Sequence, residues 1–368
     1  MKKILITGGA GFIGSHLASE LLNHGYQVRV LDSLEDQVHP GGVRPVYLSH
    51  DVEFVRGDMC DADAVKRALE GVNAVCHLAA AVGVGQSMYE ITHYTAVNEL
   101  GTAVLLEAMI GRDIEKLLIA SSMSIYGEGL TRHGSRFIEP EIRRPSQLKA
   151  GRWELEADGE ILEPVATPET KAPCLNSVYA LNKYAQERMC LVFGEAYHRH
   201  TVALRFFNVY GPNQALSNPY TGVLAIFGAR LLNGRPPMVF EDGRQRRDFV
   251  HVRDVARACR LALESPNTAG EVFNIGSGRS RSIADIGIAL ANAMGRSDIT
   301  PHVTGKFRAG DIRHCFADIT KARDSFGFSP QVDFDEGLAE LVEWLSGQVA
   351  VDGVERATEE LARRGLVA

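Results

Sequence analysis

Thr7-Gly8-Gly9-Ala10-Gly11-Phe12-Ile13-Gly14 is the stretch on which the fold turns. Before it, Lys3 to Thr7 is a short apolar run that stops abruptly at glycine, the pattern of a buried parallel strand. After it, Ser15 to Leu22 has the periodicity of a helix. Gly8, Gly11 and Gly14 are therefore spaced G-x-x-G-x-x-G between a strand and a helix. Bare glycines let a backbone turn sharply and approach a pyrophosphate at a helix N-terminus, where free N–H groups and the dipole favour the anion. A glycine-rich loop alone carries little weight; in this setting it predicts a dinucleotide-binding turn.

Working outward, Gln27 to Leu31 is a second apolar strand that ends at Asp32, eighteen residues after Gly14. A carboxylate there can accept both hydroxyls of an adenosine ribose and repels a 2′-phosphate. No arginine follows immediately to reverse that preference, so the reading is NAD and not NADP. Val52 to Arg56 leads into Gly57-Asp58-Met59, and Asp61 is placed to cap a helix through Leu69. Ala74 to Ala81 reads as a buried strand running into small residues, with His77 a satisfied core histidine rather than a ligand. The helix predicted over Ala96 to Ile110 is apolar almost all round, so both its faces should be buried. Leu117 to Ser122 is a fifth strand. Strands alternating with helices predict an α/β fold, a doubly wound parallel sheet with ligands at the carboxyl ends of its strands. Gly8, Asp32, Asp58, Ala79 and Ser122 all fall at such ends.

The rhythm breaks over Glu128 to Asn176, which is rich in charge and proline and is read as an insertion. A helix to about Tyr197 follows, then a strand over Thr201 to Phe207, a helix near Gly222 to Leu232, another from Asp254 to Leu263 and a strand over Glu271 to Ile275. The first of these helices carries Tyr179 and Lys183, four apart and thus on one face. An ammonium beside a phenol stabilises the phenolate, so the pair can act as a base. Residues 1–211 with 248–276 are expected to form the NAD-binding part, and 212–247 with 277–368 a smaller α/β part.

The 368 residues allow a full core, and the mild net charge of -7 with no basic block argues against nucleic-acid and anionic-membrane binding. The six cysteines are scattered without a C-x-x-C pair, as reduced thiols would be, and no metal site is expected. No apolar run approaches a membrane span, and the glycines at 8, 9 and 11 end the N-terminal run too early for a signal peptide. The expectation is a soluble cytoplasmic protein.

In this order, Thr7 to Gly14, His77-Leu78-Ala79-Ala80, Ser121-Ser122 before Tyr126-Gly127, Tyr179 with Lys183, Arg205-Phe206-Phe207-Asn208, Arg247-Asp248 and Arg308-x-Gly310-Asp311 resemble the extended short-chain dehydrogenase/reductases, in their nucleotide-sugar epimerase/dehydratase branch. The resemblance covers nearly the whole chain. It implies a catalytic triad of Ser122, Tyr179 and Lys183. It implies NAD contacts from Gly8, Gly11, Phe12, Ile13, Gly14, Asp32, Asp58, Met59, Leu78, Ala79, Ala80, Asn98, Ser121 and Phe206 besides Tyr179 and Lys183. For a nucleotide-diphosphate sugar it implies Val82, Ser122, Ser124, Asn208, Val223 and Asp311, a base sandwiched by Met238 and Phe240, and a diphosphate clamp of Arg247 and Arg308. Guanidinium forks suit that last task.

Within the branch, 4,6-dehydratases carry Asp-Glu just after the triad hydroxyl, whereas Met123 and Ser124 stand here. That favours a 4-epimerase. Ala81 to Ile91 and the long segment after Gly127 resemble those of dTDP-L-rhamnose 4-epimerases. UDP-hexose or UDP-uronate 4-epimerases and 4-ketoreductases are the alternatives; Asp32 and the complete triad count against an NADPH reductase and a non-catalytic NAD binder. The apolar helices at Ala96–Ile110 and Val178–Tyr197 suggest a homodimer. The insertion, anchored on both sides of the site, is expected to form a lid or pocket wall through Trp153, Leu155, Ile161, Leu162 and Val165.

Overall fold

A computed structural model describes residues 2–308 and 310–367; Ala309, inside the Arg308–Asp311 motif, lies outside the described residues, as do positions 1 and 368. Seven parallel strands form the central sheet: β1 (Lys3–Thr7), β2 (Gln27–Asp32), β3 (Glu53–Arg56), β4 (Ala74–His77), β5 (Lys116–Ser122), β6 (His200–Phe206) and β7 (Val272–Ile275), in the order β7-β6-β5-β4-β1-β2-β3. The chain winds outward in two directions from β1 and β4, so loops diverge at their carboxyl ends and leave a crevice there. Alternation along each strand builds two cores. Ile4 and Ile6 face one cluster and Leu5 the other, and the same division separates Val202 and Leu204 from Ala203.

The helix Phe12–Asn23 (α1) and the helix Val252–Glu264 cover the first face. The helices Gly101–Met109 (α2) and Val178–Ala196 (α3) cover the second, through Leu105, Leu106, Met109, Cys190, Leu191 and Phe193. The predicted helix over Ala96 to Ile110 begins earlier, at Ile91, and widens into a π turn over Ala96–Leu100 before continuing as α2. Its expected burial on all sides is not met within one chain: Leu100 is 53% exposed, and Leu181 and Val192 on α3 are 50% and 55% exposed. Those three residues form the outer faces of the two helices.

A third core gathers helices Val223–Leu232, Ile283–Ala293 and Phe334–Ser346 around Phe227, Ile286, Leu290 and Leu341. The range 277–368 is not all of this body, however. Ala322, Phe326 and Phe328 pack into the first sheet cluster, with Phe326 edge-on to Phe273 at 5.0 Å between ring centroids. The insertion is ordered: Thr131–His133, Arg136–Ile138 and Glu163–Pro164 make a small antiparallel sheet, and Leu155 and Leu162 are each 2% exposed. Burial of two such side chains contributes about 1.5–3 kcal/mol each to docking the segment on its neighbours. Ile161 stays exposed.

Candidate active site

One cavity of about 990 Å³ runs along the carboxyl ends of the strands, and every site residue expected from the sequence lines it except Asn98. At its sheet-centre end, Gly8 has φ +68, and a Cβ there would lie 2.8 Å from the backbone of Ala79. A Cβ on Gly14 would lie 2.4 Å from the Gly8 carbonyl, so only glycine lets α1 abut the loop. Gly11 caps α1, and the first N–H groups of that helix, at Phe12 and Ile13, open on the cavity. This is a built anion cradle, and it fits a dinucleotide pyrophosphate. Asp32 accepts from Ala10 N at 3.0 Å and from Leu34 N at 2.9 Å, which fixes its carboxylate at the cavity wall with lone pairs left over for ribose hydroxyls. Asp58 and Met59 follow on the same wall.

Asn98 sits elsewhere. Its amide brackets the backbone of Ala81, accepting from the N–H at 2.8 Å and donating to the C=O at 3.0 Å, so the π turn carries it behind the loop and not into the cavity. The expected direct contact with the cofactor is therefore corrected to support of the Leu78–Val82 wall.

Ser122 ends β5 and Tyr179 opens α3, whose start is set by Ser177 accepting from Ala180 N at 3.1 Å. Tyr179 N is further tied to Ser87 Oγ at 3.0 Å. Ser122 Oγ donates to Ser124 Oγ at 3.1 Å. Burial holds the Tyr179 phenol above its ordinary value, opposed by its hydrogen bond with Ser122. The lowering expected from Lys183 is not what the geometry gives, because the Lys183 ammonium donates to Gln186 Oε1 at 2.8 Å. Burial also lowers Lys183 itself, to about 8.

Behind Lys183 lies a chain of buried hydrogen bonds whose directions can be deduced. Lysine only donates, so Gln186 must present its oxygen to Lys183 and its NH2 to Thr102 Oγ1, 2.9 Å away. Thr102 Oγ1 donates to the Asn98 carbonyl at 2.6 Å, so it accepts from His77 Nε2 at 2.9 Å. His77 Nδ1 then accepts from Thr7 Oγ1 at 2.7 Å, and Thr7 Oγ1 accepts from Ala79 N at 3.2 Å. The imidazole is neutral, with burial pushing it down to about 3, and it is the satisfied core histidine the sequence suggested. Glu187, next along α3, is bound to Arg205 at 2.7 Å and to Ser121 Oγ at 2.6 Å. Arg205 is thus a buried structural partner stacked on Tyr126, not a cavity residue.

At the far end, Met238 and Phe240 line the cavity and the Arg308 guanidinium stacks 4.5 Å from the centre of the Phe240 ring. Arg308 forks onto Asp311, Nε to Oδ2 at 2.8 Å. Arg247 donates to the carbonyls of Arg313 at 2.9 Å and Ile312 at 2.6 Å, and burial lowers its pKa. Asn208 and Val223 line the wall between the two ends, and Asn208 Oδ1 has no hydrogen-bond partner among the described residues. Sequence reasoning missed Gln86, Tyr94 and Tyr220, which line the middle, and Ala357, Thr358, Leu361 and Leu366, which close it from the last helix, Val354–Arg363, and the residues after it. The Ala81–Ile91 stretch could have flagged Gln86; the last helix reads as an ordinary amphipathic surface helix. The insertion reaches the cavity with Asn176 alone, so the expected lid or pocket wall is corrected: it packs behind the Phe240 and Asp311 segments. Among the described residues there is no cluster able to hold a metal, and no helix is long and apolar enough to cross a membrane. All six cysteines are free.

The NAD dependent epimerase/dehydratase family model matches residues 4–147 and 157–276. A dTDP-L-rhamnose 4-epimerase from Burkholderia thailandensis is 36% identical over 95% of this chain and 96% of its own. A UDP-glucose 4-epimerase from Thermotoga maritima, solved with UDP-glucose, superposes with a TM-score of 0.77 at 32% identity, covering 94% of this chain and 98% of that one. A UDP-glucuronic acid 4-epimerase from Bacillus cereus, solved with UDP-glucuronic acid and NAD, gives 0.76 at 30% identity, with 94% and 99% covered. The chain belongs to the NAD dependent epimerase/dehydratase family.

Proposed function

We propose, with that membership as the premise, that the protein is an NAD-dependent nucleotide-sugar 4-epimerase, and that its substrate pair is dTDP-L-rhamnose and dTDP-6-deoxy-L-talose. The observation that carries the epimerase reading is the charge at the reacting end. The carboxylates lining the cavity are Asp32, Glu35, Asp58 and Asp311; the first three lie on the β2 and β3 side, and Asp311 is held by Arg308. None stands beside Ser122 to protonate or deprotonate sugar carbons, as elimination of water requires. The choice of sugar rests on the likeness to the Burkholderia enzyme and on the apolar Val82, Val84 and Met88 near the site.

Bound NAD supplies reversible oxidation and reduction at C4. Ser122 and Tyr179 converge on one sugar hydroxyl; Tyr179 takes its proton as C4 becomes a ketone and returns it when reduction occurs on the opposite face. Lys183 holds positive charge beneath the phenol. Arg247 and Arg308 grip the diphosphate, Phe240 and Met238 the base, and Asn208 Oδ1 offers a buried acceptor to the substrate. Residues 1–211 and 248–276 serve the cofactor; 212–247 and much of 277–368 serve the nucleotide sugar. The chain pairs with a second copy through the faces bearing Leu100, Leu181 and Val192, which single-chain folding leaves bare; light scattering that found a monomer at micromolar concentration would contradict this. The reading is tested by NMR of the protein with dTDP-L-rhamnose and no added cofactor, alongside UDP- and GDP-sugars. A C4 epimer is the expected product. Consumption of added NADH or NADPH by a 4-keto sugar without epimer formation would overturn it.

A further inference from the structure

Glu241 is in the left-handed region at φ +52, is 2% exposed, and follows directly on Phe240, the ring under Arg308. A side chain pays conformational strain there that glycine would not, and a buried carboxylate needs full compensation. Two guanidiniums supply it, one of them from the insertion. Arg143 Nη1 lies 2.8 Å from Glu241 Oε1, and Arg313 Nη1 lies 2.9 Å from Oε2. The same Arg143 side chain donates to Trp153 O at 3.0 Å and to Asp311 O at 3.3 Å, and pairs with Glu128 at 3.2 Å. One guanidinium from the insertion therefore touches both segments that present the nucleotide clamp, the Phe240–Glu241 turn and Asp311, which orients Arg308. Glu128 in turn accepts from Arg313 N at 2.7 Å and His314 N at 3.2 Å, fixing the Ile312–His314 segment whose carbonyls hold Arg247.

We infer that Arg143 is a positioning residue for nucleotide binding, and that the inserted segment 128–176 acts on substrate through it, from behind the clamp. The inference rests on the reading of Phe240, Arg247 and Arg308 as that clamp. Because Arg143 answers a need created by Glu241, removing both partners should undo most of what removing Arg143 does. Glycine at 241 also relieves the backbone, Glu128 keeps the N–H groups of Arg313 and His314 as donors, and Arg313 keeps Asp242 and Glu154 as partners at 2.6 Å and 2.5 Å.

The experiment measures dTDP and UDP binding by calorimetry, NAD retained on purification, and turnover, for the wild type, Arg143→Met, Arg143→Lys, Glu241→Gly and the Arg143→Met/Glu241→Gly double variant. Arg143→Met should weaken nucleotide binding about tenfold or more and raise KM with kcat little changed, since breaking one side of a buried pair leaves the other uncompensated. NAD retention should not move, and Arg143→Lys should recover part of the loss. The double variant should return to within about threefold of the wild type, the non-additivity expected of directly coupled residues. Nucleotide binding by Arg143→Met equal to wild type, equal loss of NAD, or a double variant as impaired or as misfolded as the single one would each overturn the inference. A wild type that bound neither nucleotide would instead overturn the functional reading beneath it.

Discussion

The two ends of the cavity are rigidified by opposite means. Beneath the triad, the Lys183 ammonium is held by an amide, and the neighbouring carboxylate, Glu187, is neutralised by Arg205 and bonded by Ser121. Support runs on through Gln186, Thr102, His77 and Thr7, all neutral. Beneath the clamp, support is ionic: Arg143 and Arg313 interlock with Glu128, Glu154, Glu241 and Asp242. The difference follows from what each end must do. In the proposed mechanism Lys183 lends its charge to the phenol, and a buried carboxylate partner would hold that charge for itself. Dipoles orient it without cancelling it. The clamp keeps Arg247 and Arg308 for a ligand and can use other ions for stiffness, at the desolvation cost that makes each pair intolerant of losing one member.

That contrast makes mutations at one end kcat effects and at the other KM effects. The largest effect should be Tyr179→Phe, which removes the proton-transfer group and should lower kcat by about 10²–10⁴-fold with NAD and nucleotide still bound; near-wild-type turnover would refute the assignment. Arg308→Ala should raise KM by roughly tenfold or more with a smaller change in kcat, since it loses a charge-assisted contact to phosphate. A kcat loss of equal size would erase the distinction between the ends. Gln186→Met keeps side-chain volume but removes the carbonyl that orients Lys183, and should lower kcat about tenfold with nucleotide affinity intact, the size of one charge-assisted hydrogen bond. The smallest effect is on pH. Lys183 is lowered to about 8 by burial, so as pH rises through that value the ammonium is lost and kcat should fall. Stability moves the other way. The folded pKa lies below the ordinary 10.5, so between these values the unfolded chain holds a proton the folded chain has released, and the folded state gains with rising pH. A kcat profile flat from pH 7 to 9 would break the link between Lys183 and turnover.

How much of this was legible in advance divides along the same line. Strand ends are written in local pattern, and Gly8, Asp32, Asp58, Ala79 and Ser122 were placed on one edge by periodicity alone. The family resemblance puts Asn98 at the cofactor, whereas a π turn, which no periodicity signals, sets it at the back of Ala81. The insertion reads as a break in rhythm, and of its apolar residues Leu155 and Leu162 are buried while Ile161 is exposed; where it docks depends on Arg143 meeting Glu241, a pairing set by tertiary geometry and by a backbone angle that a glutamate gives no hint of. The exposed Leu100 and Leu181 likewise look in sequence like core. Long-range ionic partners are invisible to local pattern because nothing between them encodes their meeting.

The insertion's partners also arrive late in synthesis. The sheet is complete once β7 ends at Ile275, yet Glu128 accepts from the backbone N–H of Arg313, 185 residues further on, and Thr167 bridges to Ala317. A nascent chain that has just emitted β7 therefore has a finished sheet and an undocked inserted segment, with Glu128 and Glu241 still lacking Arg313. Docking of the inserted segment therefore waits until some forty further residues emerge. The segment that stiffens the mature clamp is, on the ribosome, the part that has to be kept from finding the wrong neighbour.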